Sequence, residues 1–104
     1  MQNQGEKGFN SMIFSCVERA LKSLGDDVAI SFFYQIEKKF CLPREELVSR
    51  PLELIHCLEQ LLGVAGSRII EKKIVHEIEI DFDLSSTTSL ERAITSAKRK
   101  FLTR

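Results

Sequence analysis

The sequence predicts an all-α fold, a compact bundle of four longer helices plus one short helix. Three observations predict it. Apolar residues recur at three- and four-residue spacing through most of the chain, the period of helices with one buried face. Glycine and proline fall where those runs stop and start. The 104 residues are 43% hydrophobic and 29% charged, an ordinary globular mix with room for one domain. Residues 1–9, polar with Gly5 and Gly8, read as a flexible start, and residues 10–104 as a single helical domain.

Asn10 or Ser11 can cap the first helix. Met12, Ile13, Cys16, Val17, Ala20, Leu21 and Leu24 then follow at helical spacing, and Gly25 is the stop signal. Asp26 and Asp27 bring negative charge to the start of a second helix. Its apolar face is Val28, Ala29, Phe32, Phe33, Ile36 and Phe40. The near absence of a linker predicts an antiparallel hairpin. Pro43 begins a short helical turn running to Val48, and Leu42 before it should be extended. Ser49 or Arg50, ahead of Pro51, starts a helix with Leu54, Ile55, Leu58, Leu61 and Leu62, ended by Gly63. After the Gly63-Val64-Ala65-Gly66 joint, Ser67 can cap a continuation through Ile69, Ile70, Ile74 and Ile78.

Ile78 to Leu84 alternates apolar and acidic residues, which also fits a short strand at 78–84. A lone strand needs a ladder partner, such as one across a homodimer. Helix to about residue 80, followed by an extended connector, is the preferred reading. Ser85 to Ser89 is a polar loop. Thr88 and Glu91 fit a capping box opening the last helix, whose narrow stripe is Leu90, Ala93, Ile94, Ala97 and Phe101.

Fifteen basic residues balance fifteen acidic ones, so no net field draws the chain to nucleic acid or an anionic membrane. No apolar run approaches a membrane span, and the polar start lacks a secretory h-region. Cys16, Cys41 and Cys57 are odd in number and widely spaced, which suits packing in a reducing, cytoplasmic compartment better than a disulfide or zinc framework. His56 and His76 lie on helix edges without a nucleophile facing them. No phosphate loop, nucleophile elbow or metalloprotease motif is present. Neither catalysis nor a cofactor is expected.

Two charged sets have bland and functional readings. Glu77, Glu79, Asp81 and Asp83 would share one face of an extended segment, yet their spacing is not that of a calcium loop. Arg92, Lys98, Arg99, Lys100 and Arg104 make the last helix basic, suiting its dipole and also able to meet phosphates. Leu58 to Lys73 superficially follows a helix-turn-helix, with Arg68, Lys72 and Lys73 as its cations. Glu59 stands where that unit needs a small residue, and Lys72 where it needs an apolar anchor.

Surplus apolar surface is the better clue. The main face of the second helix spans about 140°, with Ile30, Tyr34 and Cys41 on a separate stripe. Phe14 and Leu21 widen the first helix's apolar arc to about 200°, against a little over 100° for a helix lying on one core. Either these helices are covered on two sides within the subunit, or Phe14, Leu21, Ile30, Tyr34 and Cys41 meet a partner chain.

Residues 12 to about 80 resemble an archaeal family, the Nitrosopumilus output domain. The likeness rests on Leu24-Gly25, the run Val28-Ala29-Ile30-Ser31-Phe32-Phe33-Tyr34, Glu37-Lys38-Lys39-Phe40, Glu46-Leu47-Val48 after Pro43, and Leu58-Glu59-Gln60-Leu61-Leu62-Gly63. The family's Gly-x-Gly-Ala joint stands here with its second glycine displaced, and the segment from Asp81 onward lies outside the likeness. The resemblance implies an all-helical output module in signalling proteins, with no catalytic residues to transfer. The sequence thus leads to a non-enzymatic cytoplasmic interaction or signalling-output module acting as a homodimer. The alternative is a nucleic-acid-binding regulator using Arg68, Lys72, Lys73, Lys98, Arg99 and Lys100.

Overall fold

The computed structural model describes residues 3–86 and 89–103. The chain runs α1 (Asn3–Lys22), α2 (Asp26–Phe40), a 3-10 turn (Arg44–Glu46), α3 (Pro51–Phe82) and α4 (Leu90–Leu102). This is the all-α bundle, and no strand occurs among the described residues.

α1 begins at Asn3, well before the expected cap at Asn10 or Ser11. The reading of a flexible start is therefore corrected for residues 3–9, and residues 1–2 lie outside the described residues. Phe9 is fully buried, with ring centroids 5.6 Å from Phe82 and 5.5 Å from Phe101. One aromatic side chain inside the core is enough to hold its otherwise polar turn in the helix. Phe9, Ile13, Cys16, Val17 and Ala20 then line the inner face. The helix ends as Ser23 Oγ donates to the Ala20 carbonyl at 2.6 Å, and Gly25, at φ 126°, turns the chain into α2.

α2 buries Ala29, Phe32 and Ile36 and carries Asp26 and Asp27 in its first turn. Cys41 closes it in the left-handed region, its N–H donating to the Ile36 carbonyl. Leu42 is buried ahead of the Pro43 turn, and Arg50 links that turn to α3 through Glu46 and Glu53.

α3 is two helical stretches, 51–62 and 64–82, joined at Gly63, whose φ of 81° and ψ of 167° are non-helical. Gly63 ends the first stretch as its position implies. Ser67 is not a cap, however: it lies inside the second stretch, buried, and donates to the Val64 carbonyl at 2.9 Å. Ile70, Ile74, Ile78 and Phe82 form one inward row. The strand reading of 78–84 gives way because Ile78 and Phe82 are also four apart, so burying both extends the helix two residues beyond the expected end. Ile80 is the leftover of the alternation and points to solvent. Asp83 ends the helix in the left-handed region, and the Leu84 N–H returns to the Glu79 carbonyl at 2.9 Å.

The expected cap at Thr88 lies outside the described residues. The observed cap is Ser89, whose Oγ accepts from the Arg92 N–H at 3.2 Å. Glu71 of α3 takes another free donor, the Leu90 N–H, at 3.0 Å. The core lies between α1, both stretches of α3 and α4, and α2, packed mainly on α1, adds Ala29, Phe32 and Ile36 to it.

Candidate interaction surface

α2 presents Ile30 and Tyr34 outward, one turn apart on one side of the helix, and Cys41, exposed just past its end in the left-handed region, falls outside that helical register. Ile30 is 67% exposed and Tyr34 64% exposed, while Phe14 is 8% exposed and Leu21 fully buried. The proposed stripe of five is therefore corrected. Leu21 belongs to the subunit's own core, and Phe14 lies beneath the surface instead of projecting from it. The wide apolar arc of α1 is filled from within, because α2 covers one side of it and α3 with α4 the other.

Phe14 still reaches the surface as the floor of a groove of about 300 Å³, beside Ile30, Phe33, Tyr34, Leu42 and Arg44. Phe14 and Phe33 stack with centroids 4.9 Å apart, and the Arg44 guanidinium lies 4.0 Å from the Phe14 ring centroid. Glu18 and Glu37 complete the rim, and Lys38 Nζ sits 5.9 Å from the Tyr34 ring centroid. The surface thus joins an apolar ridge, an apolar floor and charges of both signs. Phe33 lies on the apolar face of α2 that the sequence predicts, whereas Arg44 and Leu42 escape sequence reasoning because their roles depend on how the loop after α2 folds back on α1. Leu52, Val64, Ile69 and Ile80 are also exposed, but along α3.

The acidic residues do not share a face. Arg19 of α1 donates through Nε to Glu77 Oε1 and through Nη2 to Asp81 Oδ2, each at 2.7 Å. Cys16 Sγ lies 3.4 Å from Asp81 Oδ2. Burial, and then the Asp81 charge, push the Cys16 thiol up to about 12, so it is held neutral and unreactive. Burial also raises the Cys57 thiol. Asp83 approaches Lys100, which donates to its carbonyl oxygen. Among the described residues no group of three or more histidine, cysteine, aspartate or glutamate side chains is placed to hold a metal ion. His56 meets Phe40 edge-on at 6.3 Å, and His76 shares a hollow with Arg68, Lys72 and Glu79.

The basic residues do not form one tract. Arg68, Lys72 and Lys73 are exposed on α3, and Arg68 and Lys72 line a hollow together with the acidic Glu71 and Glu79. Lys98 and Arg99 border a hollow against Phe9 and Val48, and Lys100 faces Asp83. Glu59 and Lys72, which a helix-turn-helix would pack inward, are both exposed. Arg104 lies outside the described residues.

Fold and surface together define an all-α bundle domain with an apolar outer face on α2. No protein-family model, no curated protein and no solved structure matches the chain. The resemblance over residues 12–80 rests on the quoted residues alone. No described helix is long and apolar enough to cross a membrane.

Proposed function

We propose that this chain is a non-enzymatic, cytoplasmic interaction module of the signalling-output class, acting as a homodimer joined through the outer face of α2. The observation that carries the reading is the pair Ile30 and Tyr34, one turn apart and both about two-thirds exposed, beside a groove floored by Phe14 and Phe33. Covering Ile30 removes apolar surface from water at roughly 25 cal/mol per Å², before the entropic costs of association are met. A two-fold axis through this face would cover that area twice. Tyrosine suits such a seam, with a large apolar ring and a hydroxyl that can stay wet. Arg44 and Glu37 flank the groove, so a two-fold arrangement can set each against its opposite on the second copy. The three unpaired thiols suit a reducing compartment.

Light scattering on the purified chain tests the proposal. The wild type should give twice the mass of the chain at high concentration. Tyr34→Glu should lower that mass toward the monomer with unchanged helical circular dichroism, since Tyr34 supports no core contact. A wild-type monomer at high concentration would overturn the reading.

A further inference from the structure

Ser86 is an exposed loop residue that borders two hollows at once. On its α4 side, a hollow of about 500 Å³ is lined by Arg92 and Arg99, together with Ser85, Ser96 and Glu91. On its α3 side stand Arg68, Lys72 and His76. Arg92 and Arg99 are seven residues apart, two turns on one face, so their Cα atoms lie about 10 Å apart along the axis. Their guanidinium groups can converge on one small anion between them.

Three arginines elsewhere are engaged within the subunit, while Arg68 lies exposed on α3. Arg19 and Arg50 each bind two carboxylates, and Arg44 stacks on Phe14. Among the described residues neither Arg92 nor Arg99 bonds a carboxylate. Two unengaged guanidinium forks beside loop hydroxyls match a tetrahedral oxyanion of charge near −2, such as a phosphate monoester. A nucleic-acid strand fits less well, because Glu91 on α4 and Glu71 and Glu79 on α3 interrupt the positive surface. The positive charge is confined to a point.

We propose that the hollow between Ser85–Ser86 and α4 is a binding site for a phosphate monoester, with Arg92 and Arg99 as its paired donors. The phosphoryl group can arrive on a small molecule or be borne by Ser86 itself. In the second case a separate kinase transfers the γ-phosphoryl group of a nucleoside triphosphate. The Ser86 Oγ–P bond forms as the bridging P–O bond breaks, and nucleoside diphosphate and a proton leave. This site is independent of the α2 face.

Two arms separate the sources. In the first, phenyl phosphate is titrated at constant ionic strength and pH 7.5, with amide chemical shifts as the readout. Saturating shifts at residues 85–86 and 92–99, weakened about tenfold or more in the Arg92→Gln/Arg99→Gln double variant, establish a free ligand. Glu91→Gln should tighten that binding about threefold by removing the one opposing carboxylate that borders this hollow among the described residues. In the second arm, the chain carries phosphoserine at position 86. A phosphorus-31 titration midpoint below the usual value near pH 6, restored by the double variant, establishes the covalent source. The proposal is overturned if phenyl phosphate gives only linear, diffuse shifts and phosphoserine titrates alike in both backgrounds. All substituted side chains are exposed, and circular dichroism confirms that the variants fold.

Discussion

Cys16 is the side chain where packing and charge meet most closely. Its sulfur is buried in α1 against the Asp81 carboxylate, which is itself held by Arg19. Burial is the largest cause of its raised pKa and the Asp81 charge the next. In the unfolded chain the thiol has its ordinary value near 9, and in the fold it is pushed up to about 12. The folded state therefore binds this proton more tightly. Its contribution to stability is fully present below pH about 9 and is lost as pH climbs toward 12. Denaturant titrations at pH 8 and pH 10.5 should show a wild-type decline that is shallower in Cys16→Ala. The comparison concerns the slope with pH, so the variant's lower overall stability does not enter. Equal slopes would mean that the thiol is not shielded as the geometry indicates.

At the scale of the element, the joint in α3 decides how residues 51–82 cover the core. Gly63 adopts a φ of 81° and a ψ of 167°, a region essentially confined to glycine. A Cβ added there would meet nothing within 4 Å, so any cost of Gly63→Ala comes from the backbone alone. The variant should lose about 1–3 kcal/mol in chemical denaturation, with the core otherwise undisturbed. A neutral or stabilising result would show that the two stretches can run on as one straight helix. This joint was legible from Gly63 following the row Leu54, Leu58, Leu61 and Leu62. The end of α3 was less so, since Ile78, Ile80 and Phe82 satisfy a period of two while Ile78 and Phe82 also satisfy a spacing of four. Tertiary packing against α1 and α4 selects the latter. At the start of α4, Ser89 is the cap, and the next N–H, of Leu90, meets Glu71, a partner nineteen residues away that no local motif reveals.

Across the whole molecule, the division between core and free surface turns on the start of α1. The apolar arcs of α1 and α2 were visible in the sequence, but not which of their residues would be covered. Leu21 is enclosed by the subunit and Phe14 shows only as a groove floor, whereas Ile30 and Tyr34 remain outside because α2 lies on the periphery. Residues 1–9 read as a flexible start in the sequence because a single phenylalanine among glycines and polar residues carries no period. Phe9 nonetheless touches Phe82 of α3 and Phe101 of α4, joining three helices at one point. Phe9→Ala should cost about 3–5 kcal/mol, from lost burial and the cavity left where those rings meet. Against a total of about 5–15 kcal/mol for a small domain, that removes a large share of stability. At about 4–8 °C per kcal/mol for a chain this size, the midpoint of thermal unfolding should fall by some 12 °C or more, as one cooperative transition. A drop of only a degree or two would show that the first turns of α1 fray and rejoin without disturbing the bundle. The surface on α2 would be unaffected by that result, because its groove is built from Phe14 onward.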